Sequence, residues 1–314
     1  MPQIMFSIVI PLYNKEHNIK STIDSVLSQS FSQFEIIVVD DGSSDNSIAV
    51  INSIEDERIR IISKKNGGVS SARNVGIYSS RYEYIAFLDA DDLWDENYLL
   101  EQKKMIEDFP DAVMWGINFA PVLNGMEYTH YSTALPEGFR GIVKNYFQMT
   151  GRVSDLFCSS SVVIKKDILH NCGLFDERIR YAEDLDMWYR IIARHPVAFY
   201  DKVMVFYQHD AENRALSHRI PLVTYLPYFV DKFVTYKDNF TFYKFINNWS
   251  AIKIKQYYRN RSTRQIAIEA AQKLDFSVLP KKYKKIYCNS YFKGLLNYWI
   301  YETLHNLKNK IINA

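Results

Sequence analysis

Through the first hundred residues, short apolar runs rich in β-branched residues alternate with amphipathic stretches. Phe6–Ile10 and Phe34–Val39 read as strands, the second (Phe-Glu-Ile-Ile-Val-Val) apolar enough to be buried on both faces. Between them, Ile19, Ile23, Val26 and Leu27 share one face of a helix over Ile19–Ser28. A turn at Asp40–Asp45, helix Asn46–Ser53, strand Ile59–Ser63, a loop with Gly67-Gly68, helix Ser70–Ser79 and strand Tyr84–Leu88 follow. This βαβαβαβ order predicts an α/β fold with a mixed, mainly parallel sheet flanked by helices. It gathers the C-terminal strand ends at the edge where such sheets bind ligands. Beyond Trp94 the alternation weakens to a helix near Tyr98–Asp108, a strand near Ala112–Asn118, an unpatterned region to about Asp155 and a strand at Ser159–Ile164. From Phe240 the pattern is mainly helical, with a basic run at Lys281–Lys285 after Pro280.

Composition adds a size and a division of charge. With 314 residues, 47% hydrophobic and 24% charged, the chain is globular in make-up and long enough for one large domain and an appendage. Residues 219–314 carry 17 Lys and Arg against 5 Asp and Glu, whereas residues 1–218 carry 21 against 31. An acidic body thus meets a basic extension at about residue 218. Aromatic residues make up 15% of the chain, and those of the extension either fill a core or form a surface for an amphipathic partner. A basic, Tyr-rich segment suits an anionic membrane surface or plain solvent; nucleic acid is not an expected partner, because no nucleic-acid module is recognisable. Cys158, Cys172 and Cys288 lack paired spacing, which indicates neither a disulfide framework nor a zinc site. With no signal segment and no unbroken apolar run of about 18 residues, the expected location is cytoplasmic, with any membrane association peripheral at the inner face.

The densest chemistry is Ile85-Ala86-Phe87-Leu88-Asp89-Ala90-Asp91-Asp92, an apolar strand that ends in three carboxylates within four positions. Such charges repel one another unless a cation intervenes, and Mg²⁺ or Mn²⁺ commonly takes one or two carboxylates together with substrate phosphate oxygens. An acidic turn capping the next helix would look the same locally. Ile36-Ile37-Val38-Val39-Asp40-Asp41-Gly42-Ser43 repeats the theme, with acids placed either to cap a helix or to accept the imino hydrogen of a base such as uracil. The loop Pro11-Leu12-Tyr13-Asn14-Lys15-Glu16 has neither a dinucleotide fingerprint nor a Walker A spacing, which removes support from hydride transfer and ATP hydrolysis. Tyr13 is suited to stack on a base, and Arg73 to reach a diphosphate.

Taken in order, Pro-Leu-Tyr-Asn, Val-Asp-Asp-Gly-Ser, Gly-Val-Ser-Ser-Ala-Arg-Asn, Asp-Ala-Asp-Asp and Glu-Asp resemble the family 2 glycosyltransferases of the GT-A fold, over residues 6–218. The resemblance implies a GT-A domain over 1–218, with a nucleotide-binding half at 1–95 and an acceptor half at 96–218, and a basic helical extension over 219–314. It implies inverting transfer from a nucleotide-sugar donor, most often a UDP-sugar, to a glycan or lipid-linked acceptor, as in bacterial surface polysaccharide synthesis. Pro11, Tyr13 and Glu16 then match the nucleotide-contacting loop, Asp41 or Asp40 the uracil contact and Arg73 a helper near the nucleotide. Asp89 and Ala90 join the donor site. Asp91 matches the direct ligand of Mn²⁺ or Mg²⁺, with Asp89 behind it or on the ribose. Asp184, in Tyr181-Ala182-Glu183-Asp184-Leu185-Asp186, matches the general base that takes the acceptor hydroxyl's proton. His209 resembles a histidine that approaches the metal or diphosphate, and Trp188 is expected in the core. The rival readings are a metal-dependent nucleotidyltransferase acting on sugar phosphates, which normally shows a Gly-rich or basic triphosphate loop, and a non-catalytic sugar-binding module.

Overall fold

The computed structural model describes residues 3–123, 126–127, 135–149, 156–208, 226–258 and 262–287. The chain forms two compact units, Met1–Arg219 and Ile220–Ala314.

In the first unit the alternation becomes β1 (Phe6–Leu12), α1 (Ile19–Leu27), β2 (Phe34–Asp40), α2 (Ser47–Asn52), β3 (Ile59–Ser63), α3 (Val69–Ser79) and β4 (Tyr84–Phe87). There follow β5 (Leu93–Trp94), α4 (Tyr98–Asp108), β6 (Met114–Leu123), β7 (Met126–Glu127), β8 (Arg140–Ile142), β9 (Val162–Lys165), α5 (Lys166–Asn171), α6 (Glu183–Ile192) and β10 (Val197–Gln208). The strands make one sheet in the order β3-β2-β1-β4-β9-β6-β10-β5, with β7 beside β6 and β8 beside β10. The long ladders, β1 with β2, β2 with β3 and β6 with β10, are parallel, and β9 runs antiparallel between β4 and β6. Chain order proceeds outward from β1 to β3 on one side while β4 lies on the other. The strand direction of travel therefore reverses between β1 and β4, and a crevice opens beyond their C-terminal ends.

Both faces of the central strands are buried, as their unbroken apolar runs require. Ile8, Ile10, Ile36 and Val38 pack with Ile19, Ile23 and Val26 of α1 and with Leu99 and Met105 of α4. Ile37 and Val39 face the opposite way, onto Ala72 of α3. Gly76 lets α3 lie close to β1, since a Cβ there would stand 2.2 Å from Val9 Cγ1.

Two sequence expectations change. The segment Ser159–Ser161 is a 3₁₀ turn and not the start of a strand. The hydroxyl of Ser161 accepts from Cys158 N and donates to Cys158 O, so its side chain competes with the ladder for backbone partners. Strand β10 had no counterpart in the sequence reading, and β6 runs on to Leu123 where the pattern suggested an end at Asn118.

In the second unit α7 (Leu226–Phe233), α8 (Phe240–Tyr257), α9 (Arg264–Gln272) and α10 (Lys281–Tyr287) pack around Phe229, Phe233, Phe242, Ile246 and Ile254. The rings of Phe233 and Phe242 meet edge to face at 5.2 Å, so these aromatic residues of the region fill a core. Among the described residues of this unit, Phe240 is the one phenylalanine left exposed. Asn239 caps α8 by accepting from Phe242 N at 3.1 Å. Among the described residues, no helix is long and apolar enough to cross a membrane.

Candidate active site

The β1 to α1 loop is woven onto the β2 to α2 loop. Asn14 N donates to Ser43 Oγ at 3.0 Å, Lys15 N to Ser47 Oγ at 2.8 Å and Glu16 N to Asp45 Oδ2 at 3.0 Å. In return Glu16 Oε2 accepts from Asn46 N and Nδ2, at 2.8 and 2.7 Å. One oxygen of the Glu16 carboxylate thus holds the start of α2. Tyr13 projects from this frame with 46% of its surface exposed, an unusual position for a large ring. Pro11 lies within β1 beside Val39.

At the end of β2 both acids are buried. Asp40 Oδ1 accepts from Ser43 N at 2.9 Å. Asp41 Oδ1 accepts from Lys64 Nζ at 2.5 Å and Gly67 N at 2.9 Å, and its Oδ2 from Gly68 N at 2.7 Å. A carboxylate offers about four acceptor sites, so Asp41 keeps one for a further donor. Gly68 sits at φ +91°, a conformation that suits glycine and lets two successive N–H groups converge on one carboxylate.

Each acid of the loop after β4 is held differently. Asp91 Oδ2 pairs with Lys15 Nζ at 2.7 Å. Asp89 Oδ1 pairs with Arg73 Nη2 at 2.8 Å. Asp92 is buried, accepting from the Ser160 hydroxyl at 2.5 Å and from Gln208 N at 3.1 Å. Burial, then the charges of Asp91 and Asp89, push the Asp92 carboxyl well above the usual carboxylate range, against the pull of those two hydrogen bonds. Ser160 is the hub of the loop, since its hydroxyl also accepts from Asp89 N at 3.0 Å and its carbonyl from Trp94 Nε1 at 2.7 Å. Ala90 is buried among these partners.

Across the crevice, α6 begins with Glu183, Asp184 and Asp186 in its first turn, where the helix dipole favours negative charge. Arg73, only 2% exposed, reaches from α3 to both motifs: its Nη1 donates to Glu183 Oε1 at 2.8 Å while Nη2 holds Asp89. Its guanidinium lies over the Phe175 ring at 5.3 Å. Burial opposes the Arg73 charge, yet Asp89, Glu183 and, more weakly, Asp184 outweigh it and hold the guanidinium above its ordinary range. Asp186 is fully buried against Arg190, whose head also donates to the carbonyls of Cys172 and Leu174. Asp184 is half-buried, its Oδ1 accepting from Leu185 N at 2.8 Å. Trp188 is in the core between Phe87 and Phe175.

The structure thus brings together Asp89, Asp91, Arg73 and the start of α6 that carries Asp184, with Pro11, Tyr13, Asp40 and Asp41 along the same sheet edge. His209 lies outside the described residues. Lys15, Ser160 and the bridging part of Glu183 were not singled out from sequence; Lys15 and Glu183 stand inside the quoted motifs, whereas Ser160 gave no signal beyond a serine run. Among the described residues no three His, Cys, Asp or Glu side chains converge on one point. Asp91 and Asp89 nonetheless fit a hard divalent cation, because Mg²⁺ or Mn²⁺ needs only one or two carboxylates when phosphates complete its shell.

The family described as Glycosyl transferase family 2 matches residues 7–173. A glycosyltransferase of Rickettsia felis described as uncharacterized is 27% identical over 220 residues, covering 68% of this chain and 36% of that protein. The minor teichoic acid biosynthesis protein GgaA of Bacillus subtilis is 33% identical over 196 residues, covering 57% and 41%. The Escherichia coli enzyme WfgD, a UDP-Glc:alpha-D-GlcNAc-diphosphoundecaprenol beta-1,3-glucosyltransferase, is 37% identical over 117 residues, covering 37% and 46%. The chain therefore matches less than half the length of each of these relatives. S. aureus TarS, solved in complex with UDP-GlcNAc, aligns with TM-score 0.76 at 18% identity over 94% of this chain and 89% of that one, a likeness of fold.

Proposed function

The chain belongs to glycosyl transferase family 2, and from that membership we propose that it transfers a sugar, with inversion, from a UDP-sugar to a hydroxyl of a glycan or lipid-linked acceptor in surface polysaccharide synthesis. The observation that carries the proposal is the single guanidinium of Arg73, hydrogen-bonded to the donor-side acid Asp89 and to Glu183 beside Asp184. It ties the loop read here as holding the leaving group to the helix end read as carrying the base. The names of GgaA and WfgD support a polysaccharide or lipid-linked acceptor, and the TarS complex supports a UDP-linked donor.

In this reading Tyr13 stacks on the base, and Asp41 uses its remaining acceptor site, or Asp40 its second oxygen, for the uracil imino hydrogen. Asp91, with Asp89 behind it, holds Mg²⁺ or Mn²⁺, which when bound supplies neutralisation of the charge that gathers on the departing diphosphate. Asp184 takes the acceptor proton as the hydroxyl attacks the anomeric carbon. The test is UDP release from a panel of UDP-sugars in the presence of Mn²⁺, expected for one or a few donors and lost on Asp91→Ala. Pyrophosphate release from a nucleoside triphosphate, with no UDP formed from any sugar donor, would instead establish nucleotidyl transfer.

The basic second unit is proposed to rest on an anionic bilayer. Lys281, Lys282 and Lys284 of α10 are exposed, and each lysine near such a surface contributes about 1 kcal/mol. Changing all three to Gln in the full chain is expected to weaken binding to phosphatidylglycerol vesicles at least about 10-fold. Unchanged co-sedimentation would rule out this helix as the contact.

A further inference from the structure

Lys15 and Arg73 each hold one acid of the loop after β4, but their freedom differs. Arg73 is enclosed, with both arms on acids and its face on Phe175. Lys15 has its backbone fixed, through its N–H on Ser47 and through the neighbouring bonds of Asn14 and Glu16. Its flexible four-carbon stem leaves only the head to be re-aimed. That head sits 2.7 Å from Asp91 Oδ2, with 10% of the lysine side chain and 15% of the aspartate side chain exposed. It offsets part of the repulsion among Asp89, Asp91 and Asp92. It also sits on one of the two oxygens with which Asp91 would hold a divalent ion, and two cations so close repel.

An ion arriving alone therefore competes with Lys15 for the Asp91 carboxylate and is repelled by its ammonium. An ion arriving with a diphosphate brings new anionic oxygens within reach of the same head. Resting on the metal reading above, we propose that Lys15 is the resident counter-ion of Asp91 and passes to the donor diphosphate as the ion binds. Ion and nucleotide are then taken up together rather than independently, and by linkage each tightens the other by the same factor.

The experiment measures Mn²⁺ binding by the full chain from the loss of the free-ion electron paramagnetic resonance signal, with and without UDP. It compares wild type, Lys15→Met, Lys15→Arg and Asp91→Asn. Lys15→Met removes the competing charge and keeps most of the stem. It is expected to bind Mn²⁺ alone about 10-fold more tightly than wild type and to lose about the same factor of mutual enhancement with UDP. Lys15→Arg retains the charge and is expected to stay near wild type, which separates loss of charge from loss of packing. Equal Mn²⁺ affinity in wild type and Lys15→Met, while Asp91→Asn abolishes binding, overturns the role of Lys15 and leaves the metal reading intact. Mn²⁺ binding unaffected by Asp91→Asn overturns both.

Discussion

Asp184→Asn is expected to lower kcat about 10²–10⁴-fold, the range that a positioned general base contributes, while the affinity for UDP with Mn²⁺ changes by less than about 2-fold. Three acids compete for the role in the first turn of α6, and packing decides among them. Glu183 is tied to Arg73. Asp186 is fully buried on Arg190, where an incoming sugar has no access. Asp184 is half-buried, at the same helix end. The amide keeps the shape and the ability to accept from Leu185 N, but it cannot take a proton. Loss of the charge at the helix start should cost no more than about 1 kcal/mol of stability, so the folded fraction should be unaffected. Steady-state rates with the preferred donor, beside UDP titration calorimetry, separate the two effects. Retention of more than about a third of wild-type kcat would mean that another group takes the proton.

The second large effect is on Arg73. Arg73→Met leaves the partly buried carboxylates of Asp89 and Glu183, 30% and 12% exposed, without their shared cation. Breaking a buried pair from one side typically costs 3–5 kcal/mol, and the partial exposure of Asp89 puts the expected loss at about 3 kcal/mol. Activity should fall together with stability, because the donor loop and the base helix lose their common tether. Arg73→Lys keeps a charge but cannot reach two acids with a planar fork, and is expected to fall between wild type and Arg73→Met in both measures. Urea unfolding of the three proteins, with kcat measured under native conditions, checks the order. A midpoint for Arg73→Met equal to wild type would show that the bridge contributes nothing.

The first half of the sheet was legible because the sequence there states its own burial. Ile36–Val39 is apolar at every position, and both of its faces are covered. Strand β10 hid because its buried stretches, Val197–Phe199 and Met204–Val205, are separated by half-buried Tyr200 and Asp201 and exposed Lys202 and Val203, and the ladder to β6 shifts register there. Asp201 in that gap accepts from Asn118 Nδ2 at 2.7 Å, a long-range use of charge that no local period reveals. The donor-side and acceptor-side motifs were readable as segments. Their joining was not: the sequence offers Arg73 as a residue able to reach a diphosphate, and its hold on both Asp89 and Glu183 is visible only in the fold. A hydrogen bond from Lys15 to Asp91 likewise joins residues 76 positions apart. Such pairings follow from the stacking of β1 beside β4, and only the assembled sheet specifies them.

The bond from Gln208 N to Asp92 Oδ1 bears on how segments of this protein can be recombined with those of its relatives. A chimera joined within β10 would take Gln208 from one parent and Asp92 from another, and the carboxyl would meet a strand end that had not been selected beside it. Joined after residue 208, both partners come from the same parent. The useful seam for grafting a foreign C-terminal region therefore lies past the last residue of β10, ahead of the change in composition near residue 218.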